Sequence, residues 1–179
     1  MSVIIFDFDD TLFDTKRLNA DVIESLVAHG AERALARFAY DSAKVKNGVY
    51  YLSGHIAELE QASNTKIAQE FFDWFEGLDF TDYVLPEVVP LLENLKNDHK
   101  LLLLTKGEES FQKFKINRAG LAKHFHEIHI TAGDKEIYLE SFDFTEPVIF
   151  INDKIEENKK VQDKFPHFKV TQKYEKGDI

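Results

Sequence analysis

Four short runs dominated by apolar residues punctuate the chain: Val3-Ile4-Ile5-Phe6-Asp7-Phe8-Asp9, Leu101 to Thr105, Glu127 to Thr131, and Val148 to Asn152. A weaker one spans Phe168 to Thr171. Runs of this kind suit strands covered on both faces, the usual situation in a parallel sheet. Between them the apolar spacing turns helical. Val88, Leu91, Leu92 and Leu95 put one stripe on a helix ending near Asn97. Ser110 is placed to cap a helix that runs to Arg118 and stops at Gly120, and Ile155, Val161 and Phe165 mark another stopped by Pro166. Strands alternating with helices predict an α/β, doubly wound (Rossmann-like) parallel sheet.

From about Asn19 to Leu78 the alternation breaks, because every periodicity there is helical. Ala20, Val22, Ile23, Leu26 and Val27 mark one helix before His29-Gly30; Ala31 to Ala39, Tyr50 to Leu59 and Ile67 to Phe75 supply others. This predicts an all-helical unit over 17–79 inserted into a core made of 1–16 and 80–179. Gly77 and Asp79 to Pro86 are the candidate return hinge. Phe71, Phe72, Trp74 and Phe75 are dense enough on one short helix to form a bundle core rather than a stacking platform for a ligand.

Charge and composition narrow the partners. With 22 Lys and Arg against 32 Asp and Glu, the 179-residue chain carries a net −10 and repels polyanions, so neither nucleic acid nor a membrane surface is an expected partner. There are no cysteines, which removes disulfides, thiolate catalysis and Cys-ligated zinc. The longest wholly apolar runs, such as Leu101 to Leu104, fall far short of the ~18 residues of a membrane span. Without a basic, then apolar, N-terminal leader the expectation is a cytoplasmic protein.

The sharpest chemical feature is Asp7-Phe8-Asp9-Asp10-Thr11-Leu12, directly after the first buried run. Strand side chains alternate, so Asp7 and Asp9 are expected on one side, at the strand end where open α/β sheets bind ligands. Two carboxylates so close repel, and an apolar setting raises the cost of ionising both. A divalent cation or a retained proton would relieve this. Either leaves one ionised Asp as nucleophile and a neighbour of raised pKa as acid and then base.

Here the sequence resembles the haloacid-dehalogenase-like hydrolase superfamily, largely capped aspartate-nucleophile phosphatases, whose first motif Asp-x-Asp-x-Thr is matched by Asp7, Asp9 and Thr11. The resemblance implies that Asp7 attacks phosphorus to form an aspartyl phosphate. Asp9 would protonate the leaving oxygen and later activate water, its backbone carbonyl joining a Mg²⁺ shell. The second motif is matched by Leu101 to Thr105 with Lys106 and Gly107, making Thr105 and Lys106 phosphate contacts and Gly107 a tight turn. Lys135 in Gly133-Asp134-Lys135-Glu136 matches the family's lysine, with Glu136 where Pro is common and Lys123 as the fallback. Val148 to Asp153 matches the fourth motif, so the implied metal set is Asp7, Asp9 and Asp153; Glu157 and Asn158 stand where a second acid is common. The helical insert sits where one subclass carries a cap domain.

His124, His126 and His129 lack the helical His-Glu-x-x-His spacing and are read as sheet or surface residues. Arg17, Lys44 and Lys46 could face a substrate anion or simply solvent. The resulting expectation is a Mg²⁺-dependent phosphatase acting on a small phosphorylated metabolite. The alternatives are a phosphomutase on a sugar phosphate, or a non-catalytic binding protein that keeps the fold.

Overall fold

The computed structural model describes residues 2–172, apart from the side chains of 45–47. Five strands, β1 (Ser2–Phe6), β2 (His99–Lys106), β3 (Glu127–Thr131), β4 (Val148–Ile151) and β5 (Lys169–Thr171), form one sheet in the order β3-β2-β1-β4-β5. Every pairing is parallel, with Ile5 opposite Leu102 on one side of β1 and opposite Phe150 on the other. Strand alternation divides the apolar side chains between two layers. Ile4, Phe6, Leu101, Leu103, Ile149 and Ile151 enter one core cluster, whereas Val3, Ile5, Leu102, Leu104, Val148 and Phe150 enter the other. This explains why the runs of β1, β2 and β4 read as almost continuously apolar: both their faces are buried, whereas the edge strands β3 and β5 keep partly exposed polar positions.

Helices α1 (Thr15–Ala28), α2 (Arg33–Asn47), α3 (Leu52–Ser63) and α4 (Gln69–Gly77) follow β1, and a single 3-10 turn, Phe80–Tyr83, leads back to α5 (Val88–Leu95). α6 (Glu109–Arg118) joins β2 to β3, the four-residue α7 (Lys135–Tyr138) lies between β3 and β4, and α8 (Ile155–Lys164) precedes β5. α1 starts earlier than its apolar stripe suggests, because the Asp14 side chain caps it by accepting from the Arg17 N–H at 2.9 Å. α6 is capped by Glu108, which accepts from the Ser110 and Phe111 N–H groups, so the expected cap Ser110 is already inside the helix. Its stop is as expected: Gly120 has a φ of 68°, a conformation that costs glycine little.

The first layer is shared between the sheet and α1–α4. Leu18, Val22, Ile23 and Leu26 of α1, Ala36 and Ala39 of α2, Ile56 and Leu59 of α3 and Phe71 and Phe75 of α4 belong to the same cluster as Ile4 and Phe6. Phe71 and Phe75 are buried, so the aromatic cluster is core; Phe75 lies 5.7 Å from Phe80 and 5.9 Å from Phe114, ring to ring. Leu139, just after α7, and Val161 of α8 cover the opposite layer.

Within α2 and α3, His55 is fully buried, with one ring nitrogen 2.9 Å from the Ala36 carbonyl and the other 3.2 Å from the Tyr50 hydroxyl. Burial holds its pKa below the usual 6.5. The unfolded chain therefore takes up a proton that the folded chain resists, so this contribution is complete above pH 6.5 and is lost as the pH falls below it. His124, also depressed by burial, acts with the same sign. We predict that the urea midpoint drops as pH is lowered through this window and that His55→Gln makes the drop shallower; an equal slope in both proteins would refute the assignment.

Candidate active site

β1 stops at Phe6, yet the Asp7 N–H still donates to the Ile151 carbonyl at 2.9 Å and so continues the ladder to β4. Beyond it the chain coils. The Phe8 carbonyl accepts from the N–H groups of Leu12 and Phe13 at 3.0 and 3.1 Å, and Asp10 takes a left-handed φ of 59° while its N–H reaches the Phe13 carbonyl. Asp9 thus lies in a tight loop, not in extended strand, and strand alternation does not apply to it. The two acids meet different surroundings.

Asp7 is buried, with Oδ1 2.6 Å from the Lys135 ammonium and Oδ2 without any hydrogen-bond partner among the described residues. Lys135 opens α7 and is itself 1% exposed; it also sits 3.0 Å from Glu157 Oε2 and donates to Asn152 Oδ1 at 3.4 Å. Burial pushes the Asp7 carboxyl up to about 6, with the Lys135 cation opposing the rise and the Asp9 charge adding to it.

Asp9 shows the opposite balance. Its Oδ1 is contacted by the Lys115 ammonium and by the Thr15 hydroxyl, and its Oδ2 accepts from Gln112 Nε2 at 2.6 Å. Burial alone would raise its pKa, but the Lys115 charge and these three donors outweigh burial and hold the carboxyl below the ordinary range. The expectation of a raised pKa at Asp9 is therefore reversed: the elevated group is Asp7. Lysines, not a retained proton, relieve the repulsion anticipated between the two acids.

Gln112 ties the first two motifs together, since its Nε2 also lies 3.1 Å from both Thr105 Oγ1 and the Lys106 carbonyl. Thr105 is fully buried at the end of β2. The chain bends at Gly107 after β2, as expected, but without a left-handed φ; what the glycine supplies is space. A Cβ there would come within 2.5 Å of the Gln112 amide nitrogen. The Lys106 side chain does not join the site, because its ammonium pairs with Asp134 at 2.9 Å, and Asp134 also meets Lys160.

Asp153 follows β4, and its N–H donates to Thr11 Oγ1 at 3.1 Å, giving the Thr of the first motif a structural task. Its Oδ1 is buried without a partner, and burial raises its pKa against the pull of Lys154. Unpaired oxygens on Asp7 and Asp153 at the ends of adjacent strands suit a hard cation. Among the described residues no three His, Asp or Glu side chains are arranged to hold a metal. The set that fits is thus two carboxylates completed by backbone, water or substrate oxygens, the common pattern for Mg²⁺. The Asp9 carboxylate is excluded from it by its own donors, leaving only its carbonyl. Glu157 does not stand in for a second metal acid: its oxygens face Lys135, Lys154 and Asn152. Asn158 donates to the Asn152 carbonyl at 2.7 Å.

A model of the haloacid dehalogenase-like hydrolase family matches residues 1–147. The chain belongs to that family. A search of curated proteins finds no match. Among solved structures, a haloacid dehalogenase-like hydrolase proposed from Burkholderia xenovorans LB400 superposes with a TM-score of 0.78 at 21% identity over 94% of this chain and 80% of that one. A protein proposed to be a HAD-hydrolase, YfnB from Bacillus subtilis, solved bound to magnesium, gives 0.63 at 15% identity over 99% and 91%. A protein proposed to be a β-phosphoglucomutase from Thermotoga maritima gives 0.62 at 22% identity over 99% and 88%. At these identities the likeness is one of fold.

Of the family residues anticipated from sequence, Asp7 and Lys135 are in contact, Thr105 and Asp9 share Gln112, and Lys123 is exposed and elsewhere. Lys115 and Gln112 were missed. Their signal was positional: with Ile116 and Ala119 they fall on the buried stripe of α6, where polar side chains need a reason. The three histidines have local partners: His126 Nδ1 accepts from the Leu101 N–H, His129 meets Glu127, and His124 lies beside Glu93. Arg17 donates to the Asp82 carbonyl and lies over the Tyr83 ring, pinning α1 to the return segment. Lys44 is exposed, and the side chain of Lys46 lies outside the described residues.

Two outcomes follow from these contacts. Gly107→Ala forces Gln112 to move and should lower the free energy of unfolding by roughly 1–3 kcal/mol, the usual cost of overpacking. Lys135→Met leaves Asp7 and Glu157 facing each other without their shared cation, and should cost about 3–5 kcal/mol at neutral pH without divalent ions. Urea titrations of both variants against wild type measure these losses.

Proposed function

We propose that this protein is a Mg²⁺-dependent phosphomonoester hydrolase of a small soluble metabolite, working through an aspartyl phosphate on Asp7. The observation that carries the reading is the pair of unpartnered buried oxygens, Asp7 Oδ2 and Asp153 Oδ1, beside a lysine that already neutralises the other Asp7 oxygen. A carboxylate nucleophile next to a phosphate needs positive charge on both sides.

Asp7, Asp153 and the Asp9 carbonyl would hold the metal, which when bound offsets charge on the phosphoryl oxygens. The Asp7 carboxylate attacks phosphorus as the bond to the ester oxygen breaks. Lys135 keeps Asp7 oriented, and the Thr105 hydroxyl at the end of β2 supports the phosphoryl oxygens. Asp9 gives the leaving oxygen its proton, then takes one from the water that hydrolyses the phosphorylated Asp7 and restores it. The first of these tasks requires Asp9 protonated and the second requires it ionised, and its donors favour the second state.

The segment of α1–α4 would serve as a cap that limits access of bulk water. Tyr40 of α2 accepts from Asn19 of α1 at 3.1 Å, and burial raises the pKa of its hydroxyl, with the charges of Asp41, Asp10 and Asp9 adding to the rise; Tyr40 and Asn19 are candidates for contact with the leaving group. A cavity of about 340 Å³ lined by Asp10, Thr11, Lys16, Val88 and Leu91 adjoins the same loop.

A panel of phosphomonoesters assayed with and without Mg²⁺ tests the reading. Inorganic phosphate should be released only with the metal, and Asp7→Asn should lose more than about 1,000-fold in kcat. Undiminished turnover by Asp7→Asn would eliminate the covalent route, and an isomeric sugar phosphate as the product would point to a mutase.

A further inference from the structure

Lys115 is a charged side chain that neither the fold nor the family motifs explain. Its side chain is 4% exposed, and its ammonium lies 5.3, 5.4 and 5.9 Å from the ring centres of Phe8, Phe111 and Phe13. Its ion-pair partner is Asp9. An ammonium placed among aromatic faces is stabilised by them, but not enough to favour leaving water without an anion. Gln112, one helical turn earlier, is 3% exposed and reaches the second oxygen of the same carboxylate. It can lie there because residue 107 has no Cβ.

An ionised carboxylate offers about four acceptor positions, two on each oxygen. Lys115 and Thr15 take both on Oδ1, and Gln112 takes one on Oδ2. One position remains, on Oδ2. We propose that Lys115 and Gln112 are positioning residues that lock Asp9 so that Oδ2 alone carries the proton traffic of the reaction. This rests on the phosphatase reading above and adds to it which oxygen acts and what aims it. The proton balance is that of the two steps already given: Oδ2 delivers one proton to the leaving oxygen and recovers one from the attacking water, while Oδ1 stays bonded to its donors.

The two steps can be separated with p-nitrophenyl phosphate and Mg²⁺. Nitrophenolate leaves without needing a proton, so the burst that reports phosphorylation of Asp7 does not depend on the aim of Asp9. Hydrolysis of the phosphorylated Asp7 does depend on it. Lys115→Met should keep the burst rate within about threefold of wild type and lower steady-state turnover about 100-fold, the usual contribution of a positioned acid or base. Thr15→Val, which removes the other donor on Oδ1 and leaves the ion pair and the contact of Gln112 with Thr105 in place, should show the same split and decides the matter if the lysine variant fails to fold. With an alkyl phosphate, whose leaving oxygen does need a proton, both steps should slow. A burst and a steady state that fall together on p-nitrophenyl phosphate would mean general distortion of the site and would overturn the inference while leaving the phosphatase reading intact. A wild-type protein with neither burst nor turnover would overturn both.

Discussion

Two carboxylates two residues apart, Asp7 buried and Asp9 largely so, are the constraint around which the molecule is arranged. Neither can be ionised cheaply at that depth, and each makes ionisation of the other harder. The structure answers with two buried lysines, one for each acid: Lys135 on Asp7 and Lys115 on Asp9. Desolvation is the largest influence on both acids, yet the outcome differs, because Asp9 has two further donors and Asp7 has one bare oxygen. That asymmetry gives a pair of like residues opposite proton affinities.

The lysines reach their partners from opposite sides of the sheet. α6 packs into the layer that contains Ile116, Leu101 and Leu103, and α7 borders the layer that contains Leu139, Leu102 and Leu104. β1 is the central strand, so its carboxyl end is the place where a residue from either layer can arrive. The parallel order of the strands puts Thr105, Asp153 and the Asp7–Asp9 loop at the same edge, with Thr11 bonded to the Asp153 N–H across it. The site is thus a product of sheet position, and the loop after β1 is coiled tightly enough to give its two acids to different layers.

The helices between β1 and α5 are not insulated from this arrangement. Phe13, from the acid loop, stacks on Phe8 at 5.0 Å and lies 6.1 Å from Phe80 in the return segment; Phe80 in turn meets Phe75 of α4 and Phe114 of α6. Thr15, the first residue of α1, bonds Asp9 directly. The position of the inserted helices and the orientation of the acids therefore depend on a common set of aromatic contacts.

Much of this was legible beforehand. The apolar runs marked β1, β2 and β4, since a strand covered on both faces has few polar positions, and the loss of alternation from about Asn19 marked the helical insert. Asp7, Thr105, Lys135 and Asp153 could be named because each lies at the end of an apolar run or in a recognisable motif. What the chain alone determined was the order of elements and the identity of the acids. Which cation serves which acid was decided in three dimensions: Lys115 and Gln112 are more than a hundred residues from Asp9, and ordinary on a charged helix until packing turns them inward. The raised pKa passed from Asp9 to Asp7 for the same reason, because a carboxylate's proton affinity depends on neighbours in space, and those are fixed by tertiary packing rather than by spacing along the chain.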